Sequence, residues 1–181
     1  MRVITGTARG KRLSTLEGMD VRPTSDRVKE SIFSIINFDI EGAVVLDLFS
    51  GSGQLGIEAL SRGAKYAIFV DKSRDSAEMT KQNLMATKLM SNTRVTTMDA
   101  VDFLKGTKNN FDIALLDPPY NKGILMEVLP LLEKKMTENG IVICEHESTL
   151  ELPEQIGKLK QKKRYKYGKI SLTSFVVEGE A

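Results

Sequence analysis

The sequence predicts an α/β domain: a mainly parallel sheet covered by helices and finished by an antiparallel C-terminal hairpin. Three observations carry this expectation. Short β-rich runs alternate with amphipathic stretches between residues 44 and 144, the pattern of successive strand–helix–strand units. A glycine loop with the spacing G-x-G-x-x-G, at Gly51, Gly53 and Gly56, follows the first run and opens the first helical stretch, where backbone N–H groups and a helix N-terminus can face a ligand. The tail changes character, with two partly alternating runs flanking Gly168, as in a hairpin.

In chain order, residues 2–16 place Gly6 and Gly10 among separated basic and β-branched positions, which suits a small hairpin. The stretch "RPTSDRVKESIFSII" has helix start signals in place: Pro23, Thr24 or Ser25 as cap, and Asp26 in the first turn. Val28, Ile32, Ile35 and Ile36 then fall on one face. Residues 44–48 read as the first buried strand, 55–61 as a helix, 67–70 as a strand, 74–87 as a helix and 94–98 as a strand. A short helix at 101–104, a buried strand at 111–116, a helix at 124–136 and a strand at 140–144 complete the alternation. Pro130 lacks a backbone donor and should kink or restart its helix. Residues 165–167 and 170–177 form the terminal hairpin.

A chain of 181 residues is the size of one compact domain, here divided into a basic extension (1–22) and an α/β core (23–181). No apolar run exceeds the five residues 66–70, far short of a membrane span. The opening "MRVITGTARG" lacks the apolar core of a signal peptide. Cys144 is the single cysteine, which excludes an internal disulfide and suits a reducing cytoplasm. His146 is the single histidine, so no metal constellation is expected.

The net charge of +2 hides an uneven distribution. Residues 1–30 hold seven basic against four acidic side chains, and residues 151–170 seven against two. If these ends meet, they make a cationic face suited to a phosphate backbone. The alternative role for the C-terminal lysines is to keep an edge strand from pairing with other chains.

The glycine loop alone does not choose its ligand. Asp71 ends the second strand twenty positions beyond Gly51, where a carboxylate accepts from ribose hydroxyls of NAD and S-adenosylmethionine alike. Asp47, four residues before Gly51, would repel a pyrophosphate and favour the ammonium of a methionine moiety. Asp99 follows the third strand and could accept from an adenine amine while the Ala100 N–H donates to the ring; an Asp here also serves as a helix cap. Finally "DPPY", Asp117, Pro118, Pro119 and Tyr120, follows the fourth strand. Neither proline has an N–H, so carbonyls and the Asp117 carboxylate dominate. Acceptors on both protons of a nucleobase amine can aim its nitrogen at a methyl donor, and Tyr120 offers a flat face for an extruded base.

Taken together, D-x-F-x-G-x-G, Asp71, Asp99 and DPPY resemble the class I S-adenosylmethionine-dependent methyltransferases that act on amino groups of nucleic-acid bases. More narrowly, "ITGTARGKRL", "RPTSDRVKESIF", "LDLFSGSGQLGIEALSRGA" and "DPPY", in this order, resemble the RsmD family, which methylates a guanine N2 in bacterial small-subunit ribosomal RNA. The resemblance implies a Rossmann-like seven-stranded sheet with helices on both faces. It implies that Asp47, Ser50, Gly51 and Gly53 surround the methionine part of the cofactor, that Asp71 with Lys72 beside it binds the ribose, and that Asp99 and Ala100 read the adenine. Asp117, Pro118, Pro119 and Tyr120 would hold the guanine. Thr24 and Arg27 would approach the cofactor or the RNA, with capping as the alternative for Thr24. Arg2, Arg9, Lys11 and Arg12, with the lysine-rich segment before the last strands, would grip ribosomal RNA, free or in the small subunit. Ser50 and Gln54 depart from the family pattern, which favours alanine and a small residue there. Competing readings are a DNA adenine or cytosine amino-methyltransferase, a nicotinamide-dependent oxidoreductase and a non-catalytic RNA-binding module.

Overall fold

The computed structural model describes residues 1–17, 24–120 and 123–179. Five strands, β1 (Val44–Leu48), β2 (Tyr66–Asp71), β3 (Thr93–Thr97), β4 (Phe111–Leu116) and β5 (Met136–Glu147), run parallel. β6 (Gln155–Ile156), β7 (Leu159–Tyr167) and β8 (Ile170–Val177) add to them antiparallel, in the order β3-β2-β1-β4-β5-β8-β7-β6. The helices are α1 (Asp26–Ile35), α2 (Gln54–Ser61), α3 (Arg74–Thr87), α4 (Ala100–Gly106) and α5 (Ile124–Glu133).

Alternation along each central strand makes two cores. Val45, Ala67, Phe69, Ile113, Leu115 and Ile143 join one cluster with Ile32 and Phe33 of α1, Leu55 and Ile57 of α2 and Leu84 of α3. Leu46, Leu48, Ile68, Val70, Leu116 and Cys144 point the other way, towards Phe103 and Leu104 of α4 and Val128 and Leu129 of α5. Burial on both faces explains why these runs are continuously apolar. Asp47 is the exception in β1: by strand alternation it lies on the α2 side, where it bonds the first turn of that helix.

The structure carries the mainly parallel sheet, both helical layers and the C-terminal hairpin, with three local differences from the sequence-based expectation. The sheet has eight strands, because two residues of β6 pair with Leu159 and Lys160. Pro130 does not split its helix; α5 runs through it and ends at Glu133, so Met136 opens β5 instead of closing the helix. Pro130 stands in the last turn, where the helix has little left to lose. β7 starts at Leu159, six residues before the expected 165, because alternating lysines masked its period.

Ser25, not Thr24, caps α1, its hydroxyl accepting from the Val28 N–H at 3.3 Å; the start signal Pro23 lies outside the described residues. Residues 1–13 do fold back, but through a single antiparallel bridge, Arg2 to Arg12, rather than a ladder. Their anchorage comes from α2. The buried Glu58 carboxylate accepts from the N–H groups of Ile4 (2.8 Å) and Thr5 (2.9 Å) and pairs with Arg62 (2.9 Å) and the fully buried Lys29 (3.6 Å). Lys29 also donates to the Arg2 carbonyl at 2.6 Å. Gly6 is obligatory, since a Cβ there would lie 1.8 Å from the Ser61 carbonyl oxygen.

Candidate active site

The strand order reverses at β1, whose neighbours are β2 on one side and β4 on the other. Such a switch point opens a crevice at the carboxyl ends of the strands. The glycine loop fills the β1 side. Gly51 (φ +54°) has open space where a Cβ would stand, whereas a Cβ on Gly53 (φ +81°) would meet Thr80 at 2.8 Å. A Cβ on Gly56 would lie 2.3 Å from the Phe69 ring. Each glycine therefore has its own cause: access for a ligand, loop conformation against α3, and close packing of α2 on β2.

Asp47 sits beneath this loop, 2% exposed, with Oδ2 accepting from the Gly56 N–H at 2.9 Å. Burial pushes its carboxyl up to about 7, against the opposing effect of that hydrogen bond. Asp71, ending β2, accepts from the Gly51 N–H (2.9 Å) and the Ser73 N–H (2.9 Å), while Lys72 beside it is exposed. Thr80 and Asn83 of α3 hold the loop's outer rim by donating to the carbonyls of Gly51 (2.9 Å) and Ser52 (2.8 Å). Two polar atoms on the loop have no partner although buried: Ser50 Oγ and Gln54 Oε1. Such orphans are costly unless something else satisfies them. A donor set of free hydroxyl, amide oxygen, open glycine and underlying carboxylate fits an amino-acid moiety, which is how the methionine end of S-adenosylmethionine presents itself.

Asp99 is a helix cap: Oδ1 accepts from the N–H groups of Val101 (2.8 Å) and Asp102 (3.4 Å) at the start of α4. Both bonds use Oδ1, the carboxylate is exposed, and Ala100 behind it is buried.

The D-P-P-Y corner follows β4 on the other side of the switch point. Pro118 is buried and Pro119 exposed. The Thr24 hydroxyl lies within hydrogen-bond distance of both acids, 3.2 Å from Asp117 Oδ2 and 3.3 Å from Glu145 Oε2. Tyr120 donates to Glu145 Oε1 at 2.9 Å. Asp117 and Glu145 face each other because β4 and β5 are parallel with Leu116 opposite Cys144. Burial, then the Glu145 charge, holds the Asp117 carboxyl well above the usual carboxylate range; burial raises Glu145 too, against its hydrogen bonds from Tyr120 and Thr24. Burial and the Glu145 charge likewise raise the Tyr120 phenol.

Thr24 thus stands against Asp117, at the D-P-P-Y corner. Glu145 was invisible to sequence reasoning: it lies in "CEHE", where alternation marks a strand but nothing marks an active site. The only signal was its position one step beyond the apolar run 141–144 of β5, level with Asp117.

Part of the basic surface borders α1. Arg2, Arg9, Lys11 and Arg12 are all exposed on the N-terminal arm, and Arg2 approaches Asp26 at 3.8 Å. Arg27 lies over the Tyr167 ring, 5.6 Å from its centroid, and lines a groove of about 350 Å³ with Ser25, Lys166 and Gly168. Arg2 from the N-terminal arm and Lys166 from the C-terminal hairpin therefore flank the start of α1, two residues after Thr24. The C-terminal cluster does not act as one patch, however. Lys160 and Lys162 pair with Glu178 (3.3 and 3.2 Å), Arg164 pairs with Glu151 (2.9 Å) and Lys163 lies over the Tyr165 ring, 4.8 Å from its centroid, while Lys166 lines the groove.

Among the described residues no group of three His, Cys, Asp or Glu side chains is arranged to hold a metal ion, and no helix is long and apolar enough to cross a membrane.

Residues 1–176 match the family model described as conserved hypothetical protein 95. The chain is 40% identical over 173 residues to the candidate rRNA methyltransferase YlbH of Bacillus subtilis, covering 93% of this chain and 94% of that one. It is 37% identical over 169 residues to the ribosomal RNA small subunit methyltransferase D of Haemophilus influenzae, covering 90% and 88%. Among solved structures it superposes on yhhF of Escherichia coli, described as a candidate methyltransferase, with a TM-score of 0.90, 32% identity and 99% of each chain covered.

Proposed function

Because the chain belongs to the RsmD family, whose model is described as conserved hypothetical protein 95, we propose that it is an S-adenosylmethionine-dependent methyltransferase acting on a guanine N2 of small-subunit ribosomal RNA, as a single catalytic domain in the cytoplasm. The observation that carries this is one juxtaposition. A loop with two orphaned buried polar atoms and an open glycine adjoins an acceptor-rich D-P-P-Y corner across the β1–β4 switch point. One half suits an amino-acid-bearing cofactor; the other suits an amine.

In this reading Asp47, Ser50, Gly51 and Gly53 receive the methionine part of the cofactor, Asp71 and Lys72 its ribose, and Asp99 and Ala100 its adenine. The cofactor supplies an electrophilic methyl group. Asp117 and the carbonyls around Pro118 and Pro119 hold the amine's hydrogens, and Tyr120, fixed by Glu145, stacks on the base. Most of the acceleration comes from holding donor and acceptor in line, an effect that reaches about 7 to 11 kcal/mol in general. Arg2, Arg9, Lys11, Arg12 and Arg27, with Lys166 and Tyr167, supply the RNA surface. Its phosphate contacts make binding fall steeply with salt.

The test is methyl transfer from labelled S-adenosylmethionine to undermethylated small subunits, naked ribosomal RNA and DNA, followed by mapping of the modified base. Asp117→Ala should abolish transfer while cofactor binding, read by calorimetry, stays largely intact. Normal turnover by that variant would sink the assignment, and modification of DNA in place of ribosomal RNA would redirect it.

A further inference from the structure

The Thr24 hydroxyl stands between two acids, 3.2 Å from Oδ2 of the half-buried Asp117 and 3.3 Å from Oε2 of the buried Glu145. A hydroxyl owns one hydrogen. Two separate, unshared hydrogen bonds need one of the acids to carry a proton of its own and donate it to Thr24 Oγ1. Glu145 already receives the Tyr120 hydrogen on Oε1 at 2.9 Å, and a carboxylate that accepts several donors is favoured in its ionised form. The chain of bonds therefore runs in one direction, from Asp117 to Thr24 to Glu145, with Asp117 protonated on Oδ2 and Glu145 ionised.

That arrangement bears on a step that D-P-P-Y alone leaves open. An amine nitrogen that gains a methyl group must lose a proton, and a protonated Asp117 can take it only by giving up its own. We propose that Glu145 is the final acceptor of the proton released by the substrate amine, reached from Asp117 through the Thr24 hydroxyl. The proposal rests on the methyltransferase reading above. The amine N–H bond breaks as an O–H bond forms on Asp117 Oδ1. The Oδ2–H bond of Asp117 breaks as Thr24 Oγ gains that hydrogen, and Thr24 passes its own to Glu145 Oε2. Asp117 ends as it began, neutral, and Glu145 ends protonated, so one proton and no net charge separation are left in the pocket.

Glu145 touches no substrate atom and is a positioning residue that also stores the proton. Its burial (3% exposed) and that of Thr24 (5%) keep water from competing for the relay. Among the described residues, the other charged groups bearing on the unit are Asp47 from β1, acting on Asp117, and Glu147 at the end of β5, acting on Tyr120. His146 is turned to other work, its ring nitrogens 2.8 Å from the Glu147 carbonyl and 2.8 Å from Thr173 Oγ1.

The experiment is single-turnover methylation of small-subunit RNA by the full chain from pH 5 to 9, for the wild type, Glu145→Gln, Thr24→Val and Thr24→Ser. Both Glu145→Gln and Thr24→Val should slow the step about 100-fold or more, the range of a lost general base, with binding of S-adenosylhomocysteine and the melting temperature kept near wild type. The wild-type rate should fall as pH drops and Glu145 protonates; Glu145→Gln should lack that limb, and Thr24→Ser should recover most of the rate. A Glu145→Gln or Thr24→Val enzyme within about threefold of wild type, with the wild-type pH profile, overturns the relay. Carbon-13 NMR of the carboxyl groups reads the same unit without turnover. Asp117 and Glu145 should titrate in two well-separated steps that Thr24→Val displaces; two coincident ordinary titrations overturn the proposal. Separated steps in a wild type that methylates no RNA would leave the proton unit standing and refute the functional reading alone.

Discussion

Replacing Gly56 by alanine sets two known effects against each other. Alanine in place of glycine inside a helix is worth about 1 kcal/mol, so an uncrowded α2 would gain. The structure predicts the opposite sign. A Cβ at position 56 would lie 2.3 Å from Phe69 Cε1 and 2.7 Å from Cζ, where carbon atoms rest about 3.5 to 4.0 Å apart. The ring would have to move by more than about 1 Å. It is fully buried in the core beneath α1, α2 and α3, on a strand paired on both sides, so overpacking should reach the upper part of the usual range of about 1 to 3 kcal/mol. The net expectation is a loss of about 2 kcal/mol for Gly56→Ala, read as a lower urea midpoint at unchanged slope. Adding Phe69→Leu should cost less in the Gly56→Ala background than in the wild type, because the smaller side chain vacates the space. A Gly56→Ala protein as stable as the wild type would refute the packing account and return this glycine to the ligand.

Asp47 and the buried lysine offer two further checks. With its carboxyl raised to about 7 in the folded chain, Asp47 contributes fully below its unfolded value near 4 and progressively less as pH rises to 7, a decline of order 4 kcal/mol. Asp47→Asn should be free of that decline, so wild-type stability should drop relative to the variant between pH 4 and 7 and stay level above; parallel curves would exclude a buried, titrating Asp47. Lys29→Met strips Glu58 of one buried partner but leaves it Arg62 and two N–H groups, which puts the cost near the low end of the range for a broken buried pair, about 3 kcal/mol. Lys29→Met with Glu58→Gln should recover much of that loss in urea melts, and a Lys29→Met single variant of wild-type stability would show the pair to be idle.

Where periodicity was driven by burial, the sequence could be read to the residue. α3 and β4 have the expected bounds because two-sided burial and a Ser73 cap mark their ends. The glycine loop and the D-P-P-Y corner were legible as motifs. Glu145 was not, because its importance lies in meeting Thr24, a residue the sequence did single out, across 121 positions of chain, and no local pattern encodes a meeting. The same holds for Lys29, which reads as a solvated helix position yet is buried because Glu58 waits for it on another helix. Met136 misled for a different reason: an apolar residue shortly after a helix looks helical until the β4 partner that claims it, Phe111, is known.

The outer rim of β7 has a meaning for the molecule in crowds. β6 covers only Leu159 and Lys160, and beyond Gln161 no strand among the described residues pairs with that rim. A second copy laying its own β7 alongside would bring Lys163 and Lys166, beside the paired Lys162 and Arg164, against the same cations, so like charge keeps an open template from being copied. That protection is electrostatic and short in reach, about 8 Å at physiological ionic strength. Concentrated salt used to strip nucleic acid from the protein would therefore also lower the barrier to self-association, and the two behaviours share one dial.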